Sequence, residues 1–194
     1  MTALALALVG CRADVPRPAP PLRVGDLAAI LGRPDPEGWR HREAVEALGT
    51  LGDPKAVGAL AAVIEADPGK HEFFLRRLAA RALGGIADAR AAEVLARNLL
   101  RSEGPLRLED DCRWALARIG KAAVPALSVR IRAESEVAVS AALALGGIRD
   151  PAARAVLERA RDQAIGPLRR AIDEALAVAA RMWEKSAPDS GVNR

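Results

Sequence analysis

The sequence contains few of the residues that build β-sheets. Of its 194 residues only 3% are aromatic, and tyrosine is absent. Strands favour aromatic and β-branched side chains, whereas the apolar fraction of this chain consists mainly of Ala and Leu. Both have high helix propensity, and the small alanine lets helix axes approach closely. The composition therefore predicts an all-α protein, long enough for one domain with a core of its own.

Long apolar runs and a dominant charge sign are also missing. No stretch approaches the 18 consecutive apolar residues of a membrane-spanning helix. The 29 basic and 25 acidic residues leave a net charge of only +4, and the two signs alternate closely, as in Arg154, Glu158 and Arg159. Such interleaving favours a solvated, mixed-charge face over a phosphate-binding stripe. We therefore do not expect nucleic acid as the main partner.

A short apolar run opens the chain. Residues 2–9 lead into Leu8-Val9-Gly10-Cys11, which resembles a bacterial lipoprotein lipobox, with an aliphatic residue, a small residue and then cysteine. The resemblance implies that residues 1–11 are a signal segment with its lipobox and that Cys11 is the site of lipidation. Several acyl chains anchor a protein stably where one is marginal. The expected location is the cell envelope, on the periplasmic face or the cell surface, with membrane contact through the lipid alone.

The remaining segments divide the chain further. Residues 12–22 are rich in proline, which cannot continue a helix, and are expected to act as a semi-rigid tether. Residues 23–185 are expected to form the folded domain, and residues 186–194 a disordered tail. If Cys11 is lipidated, Cys112 is the only thiol left, so no disulfide can form within the chain.

An Ala-Leu pair recurs five times and predicts the fold. Its leucines are spaced by 35, 33, 29 and 31 residues, an interval typical of solenoid repeats. Apolar or small residues stand four before and three after each leucine, which places all three on one helical face. These anchor leucines are Leu48, Leu83, Leu116, Leu145 and Leu176.

Turn residues separate the repeated helices. In Gly52-Asp53-Pro54 the glycine suits a left-handed C-cap, the aspartate an N-cap and the proline the first turn of the next helix. Residues 42–57 resemble the HEAT-like repeat of phycobilisome lyases, and the similarity extends over about residues 40–180. It implies a right-handed α-solenoid of about five antiparallel helix pairs. Helices near residues 24–31 and 165–183 are expected to cap the two ends.

Candidate chemistry is sparse. His71-Glu72 is similar to the His-Glu pairs of HEAT-repeat deoxyhypusine hydroxylases, which bind a di-iron centre, but that family needs several such pairs. We therefore expect no metal, cofactor or catalytic site. Cys112 occupies a core slot and is interpreted as structural. The acidic run at residues 109–111 is interpreted as capping the helix that follows it.

Two surfaces are candidates for binding a partner. Trp114 and Leu143 occupy a slot that is hydrophilic in the other repeats, and they are predicted to form an apolar patch on the outer face. The alternative is that the tail or the loop at residues 102–109 covers Trp114. The second surface is the inner face, where the second helices are predicted to place five arginines. These are Arg97, Arg130, Arg132, Arg154 and Arg159.

The sequence therefore predicts a non-enzymatic protein-interaction module, lipid-anchored in the bacterial envelope. Its partner is expected to be another protein, and an acidic protein or an anionic glycan suits the arginines. Two alternatives stay open. One is a bilin lyase-like or chaperone-like protein, which needs an apolar pocket with a few polar groups. The other is nucleic-acid binding through a basic concave face.

Overall fold

The structure is a computed structural model that describes residues 23–66, 73–103, 106–132 and 136–184. A short helix, α1 (Val24–Leu31), precedes the repeats. The first helices of successive repeats are α2 (Trp39–Leu51), α4 (Phe73–Ile86), α6 (Glu109–Ile119), α8 (Glu136–Gly146) and α10 (Gly166–Glu184). The second helices are α3 (Val57–Glu65), α5 (Ala89–Arg97), α7 (Val124–Arg130) and α9 (Pro151–Arg161). The signal segment, the tether and the tail predicted above lie outside the described residues.

The helices form two packed layers, which confirms the predicted all-α solenoid. Each first helix packs along the first helix of the next repeat, and each second helix packs against the first helix that follows it. The described part of the chain contains four complete pairs, and α10 follows as the first helix of a fifth without a second helix. Since α1 packs on α2, it covers the N-terminal end of the stack as predicted.

The anchor leucines form the centre of the core. Leu48, Leu83, Leu116 and Leu145 are completely buried, as their helical face predicts. Leu176 on α10 is only partly buried, because no described second helix follows α10. Leu51 stands three residues after an anchor and was expected to be buried, but it is 49% exposed. The first repeat has no complete pair before it, so this end of the face has less to pack against.

Aspartates cap the second helices where the sequence predicts them. Asp53, Asp88 and Asp150 each accept a hydrogen bond from the backbone N–H two residues later, at 2.8–2.9 Å. This contact satisfies a donor that the first turn of a helix leaves without a partner. Asp53 caps a short 3₁₀ helix at Pro54–Ala56 that leads into α3. The third repeat has Lys121 at the position of the aspartate, and a 3₁₀ helix at Gly120–Ala123 leads into α7 there as well.

The glycine after an anchor leucine is a packing residue in three of the repeats. Gly84 lies inside α4, and a Cβ placed on it would lie 2.8 Å from Cα of Ala115 on α6. Gly49 meets Ala82 and Gly146 meets Ala175 in the same way.

These glycine–alanine contacts set the spacing at three of the four junctions between described first helices, α2–α4, α4–α6 and α8–α10. A missing Cβ on one helix lets the backbone of its neighbour come close. The sequence predicted that small alanines permit this close approach of the helices. It did not indicate that a glycine on the neighbouring helix lies opposite the alanine. A left-handed helix end occurs at Gly52, and positive φ angles also occur after α6 at Gly120 (71°) and after α4 at Ala87 (56°).

A small hairpin replaces the expected loop between the second and third repeats. Ser102–Glu103 and Leu106–Arg107 pair as antiparallel strands. The hairpin is followed by Leu108, which is buried and donates its backbone N–H to the carbonyl of Arg101 at 3.1 Å. None of the helices in the described ranges is long and apolar enough to cross a membrane.

Candidate functional site

The five arginines predicted to bind a partner all belong to the second-helix layer, but they differ in their ion pairing. Arg97 pairs with Glu65 at 2.9 Å, and Arg154 pairs with Glu158 at 2.8 Å. Arg130, Arg132 and Arg159 form no ion pair with any residue that the structure describes. The layer therefore contains positive charge that the described carboxylates do not neutralise, and it is concentrated on α7 and α9 and in the turn after α7.

A groove lies between α7 and α9 and brings two of these arginines together. The α7–α9 groove has a volume of about 650 Å³, within the range of ligand-binding clefts. It runs along about 15 Å of α9, given the rise of a helix. The lining residues are Val124, Pro125, Ser128, Ile131, Arg132, Ala152, Ala155, Val156, Arg159, Ala160 and Gln163.

Small side chains on α9 leave this groove open. Ala152, Ala155 and Ala160 share one face of α9 with Val156 and Arg159 and line the groove, so the wall on that side is shallow. Glycine–alanine contacts close the junctions α2–α4, α4–α6 and α8–α10 of the first-helix layer. The junction α6–α8 below the groove has Ala117 in place of the glycine. Successive second helices touch at few points, and between α7 and α9 they leave a cleft.

The neighbouring depression between α5 and α7 has a different charge. It measures about 340 Å³ and includes Arg97 and Arg130, but also Glu93. Its positive charge is therefore partly offset by Glu93 in its own lining and by the pairing of Arg97 with Glu65. Among the residues that the structure describes, no carboxylate lines the α7–α9 groove.

The polar groups of the groove are partly engaged by their own helices. Ser128 donates its hydroxyl to the carbonyl of Pro125 at 2.7 Å, and Arg159 donates Nε to the carbonyl of Ala155 at 3.1 Å. The second of these bonds holds one side of the Arg159 guanidinium near the helix. The terminal Nη groups of a guanidinium can still form a fork with a planar anion.

The apolar patch predicted on the first-helix face stays a prediction. Trp114 on α6 is 50% exposed, and the guanidinium of Arg118 stacks over its ring at 5.4 Å from the centroid. Leu143 on α8 is partly buried and packs against the core. Neither the tail nor the tip of the 102–109 segment lies within the described residues, so the alternative that they cover Trp114 is open as well.

The acidic run at residues 109–111 lies in the first turn of α6, as the favourable placement at its positive end predicts, but it forms no capping hydrogen bond among the described residues, and two of its members join repeats. Asp111 is 4% exposed and accepts from Arg77 Nε at 2.5 Å and Arg81 Nε at 2.8 Å, both on α4. The hydrogen bond to Asp111, followed by its charge, raises the pKa of Arg77. Glu109 contacts Ser140 on α8. The interpretation as a simple cap was incomplete, because sequence does not reveal which side chains lie opposite on the neighbouring helices.

Cys112 fills the core slot expected from the repeat. It is completely buried, and its thiol contacts the carbonyl of Asn98 at 3.8 Å. Burial, with smaller contributions from Asp111 and Glu109, raises its pKa. His41 is also buried, with Nε2 at 2.9 Å from the carbonyl of Arg33. Both side chains therefore have local structural contacts.

The described ranges contain no candidate metal site. No group of three or more His, Cys, Asp and Glu side chains is arranged there to hold a metal ion. His71 and Glu72, the pair similar to the deoxyhypusine hydroxylase motif, lie outside the described residues, as does Cys11.

Comparison with known proteins agrees with this architecture. Residues 25–110 match the family model of HEAT repeats, so this part of the chain is similar to HEAT repeats. Among solved structures, human deoxyhypusine hydroxylase in complex with glycerol is 19% identical, with 81% of this chain and 84% of that chain covered and a TM-score of 0.31. A likeness at that TM-score supports no argument about function. No curated protein matches the chain.

Proposed function

We propose that this protein is a non-enzymatic protein-binding module that a lipid on Cys11 holds at the bacterial cell envelope. Stacked HEAT repeats form extended surfaces of the kind that bind other proteins. The observation that supports this most strongly is the α7–α9 groove, which combines an apolar floor with two arginines that lack described ion-pair partners.

The proposed anchor rests on the sequence before the repeats. Leu8-Val9-Gly10-Cys11 resembles a lipobox, and the proline-rich residues 12–22 follow it directly. A semi-rigid spacer would hold the solenoid away from the bilayer. A partner could then reach the second-helix layer without contacting the membrane.

Photo-crosslinking in cells tests the binding surface. A p-benzoylphenylalanine at Ser128 in the α7–α9 groove is expected to give a discrete crosslinked protein. The same residue at Glu174, which is exposed on α10 of the first-helix layer, is the matched control and is expected to give none. Crosslinking from Glu174 alone, or from neither position, would contradict a binding function for the groove.

Metabolic labelling tests the anchor. Cells fed radioactive palmitate are expected to label the wild-type protein and retain it in the membrane fraction. The Cys11→Ala variant should lose both the label and the membrane association. A variant that keeps its membrane association would show that the lipid on Cys11 is not the anchor.

Nucleic-acid binding is a second candidate because Arg130, Arg132 and Arg159 lack described ion-pair partners. Neutralising phosphates releases counterions, so the affinity would fall steeply with salt. Titration of the full chain with duplex and single-stranded DNA at two salt concentrations distinguishes the candidates. A protein-binding module predicts no saturable binding at physiological salt.

A bilin-binding or lyase-like role is a third candidate, favoured by the resemblance of residues 42–57 and by the volume of the groove. It predicts a red-shifted absorbance when the protein is incubated with free bilin. An unchanged bilin spectrum is expected for the protein-binding module.

A further inference from the structure

We propose that the α7–α9 groove recognises a partner segment in which carboxylate side chains flank an apolar one. This inference rests on the protein-binding function proposed above and adds the chemistry of the partner.

The charge of the groove selects for anions. Its two charged lining residues, Arg132 and Arg159, are both positive, and neither forms an ion pair within the described part of the chain. By contrast, Arg77 and Arg81 on the first-helix layer share the buried carboxylate of Asp111. A guanidinium matches the planar shape of a carboxylate through two parallel hydrogen bonds. Within the described part of the chain, the two groove arginines thus have no carboxylate partner of the kind that Arg77 and Arg81 have.

The floor of the groove selects for an apolar side chain between those anions. Val124, Ile131 and Val156 lie at the base and are only 4–9% exposed. The apolar surface that remains open comes from the exposed Pro125 and Ala155 and from the partly buried alanines of α9. A nucleic-acid backbone or a simple anion would leave this surface in contact with water. A peptide can satisfy both requirements, because an apolar side chain buries the floor while its neighbours reach the arginines.

The length of the groove limits the size of the segment. A cleft of about 15 Å accommodates roughly ten residues as a helix, at 1.5 Å per residue, or about five as an extended strand. On a helix, acidic residues three or four positions from an apolar residue would lie beside it on the same face. The segment is thus short and amphipathic, with Asp or Glu at the edges of its apolar stripe.

Selection from a random peptide library tests the proposal directly. A phage-displayed library of random twelve-residue peptides is selected on the immobilised full-length protein, and the enriched peptides are sequenced. We expect enrichment of Asp or Glu within four positions of Leu, Ile, Met or Phe. The Arg132→Ser and Arg159→Ser variants should each weaken an enriched peptide about tenfold, as expected for loss of a charge-assisted contact.

Arg170→Ser is the matched control, because Arg170 is exposed on α10 and forms no ion pair among the described residues. It should change the affinity less than twofold. Enriched peptides without acidic residues that still compete for the groove would overturn the proposed partner chemistry and leave the binding module intact. Enrichment of acidic peptides that Arg132→Ser and Arg159→Ser do not weaken would overturn the assignment to this groove. No enrichment over bare support would contradict the inference and the protein-binding function together.

Discussion

At the scale of single residues, Cys112 illustrates how the core controls chemistry. Its thiol has no exposed surface, and burial raises its pKa, so both access and ionisation oppose its reaction. Because a thiolate is the reactive form of cysteine, the native protein should resist thiol reagents at this position. The residue contributes packing instead.

We expect the Cys11→Ala variant, whose single thiol is Cys112, to react with Ellman's reagent only after unfolding. The native protein should show no colour over minutes at pH 8, and one thiol should appear when urea is added. Rapid modification of the native variant would show that the core around Cys112 opens readily.

Asp88 provides the second prediction at this scale. Its carboxylate accepts from the backbone and side chain of Arg90 at 2.8 and 3.0 Å, and these hydrogen bonds, with that of the side chain the largest cause, lower its pKa. Asp88→Ala should cost about 1 kcal/mol of unfolding free energy at neutral pH, as for other lost N-caps.

The pH dependence of that loss follows from the lowered pKa. The stabilisation by Asp88 is fully present above the ordinary aspartate pKa of about 4 and disappears as the pH falls through the lower folded value. Urea unfolding at several pH values should therefore show that the difference in unfolding free energy between wild type and Asp88→Ala becomes smaller in acid. Asp88→Asn, which keeps an acceptor without charge, is the control. A gap that is the same at every pH would contradict this account.

The sequence was most informative about residues whose role is local. The caps Asp53 and Asp150 follow from a Gly-Asp-Pro or Asp-Pro pattern, and the buried anchors follow from helical periodicity. Leu51 shows the limit, since it satisfies the same pattern and is exposed. Whether such a residue is covered depends on its neighbours in the stack, which periodicity does not specify.

At the scale of helices, the contact between α4 and α6 depends on the absence of one methyl group. A Cβ on Gly84 would lie 2.8 Å from Cα and 2.9 Å from Cβ of Ala115, both closer than packed carbon atoms tolerate. Gly84→Ala should thus destabilise the protein by about 2 kcal/mol or more, because overpacking forces the helices apart.

Gly58→Ala is the matched control for this prediction. Gly58 is exposed on α3, and an added Cβ would meet nothing within 4 Å. The same substitution there should stabilise the protein by about 0.5 kcal/mol, because alanine favours the helix. Equal effects of the two changes in urea unfolding would argue against close packing at Gly84.

Asp111 tests the polar link between the same two helices. Removing its buried carboxylate deprives Arg77 and Arg81 of their shared partner, and Asp111→Ala should cost about 2 kcal/mol. Its neighbour Asp110 is 86% exposed and pairs only with Arg113 on its own helix, so Asp110→Ala should have no measurable effect. Thermal unfolding of the two variants compares them directly, and a larger loss for Asp110→Ala would be inconsistent with this assignment.

The sequence predicted the helices better than it predicted their contacts. The alanine before each anchor signals a close approach, but only the structure shows that Gly49, Gly84 and Gly146 receive it. Likewise, the acidic run at residues 109–111 reads as a helix start, and its partners on α4 and α8 depend on how the repeats are aligned.

At the scale of the whole molecule, the first-helix layer and the second-helix layer differ in how their helices pack. Glycine–alanine contacts and the Asp111 network join the first helices, whereas small residues on α9 leave the second layer open beside α7. Sequence placed Arg132 and Arg159 on a candidate surface, but it could not show that they share a groove or that Arg97 and Arg154 have carboxylate partners. Those distinctions depend on the spacing between repeats.

The central claim is that the second-helix layer is the binding surface. Hydrogen exchange of the full-length protein, alone and with the partner identified by crosslinking from Ser128, tests it most directly. We predict that the partner slows exchange in α7 and α9 and leaves α2 and α4 unchanged. Protection of α2 and α4, with none in α7 and α9, would contradict the account.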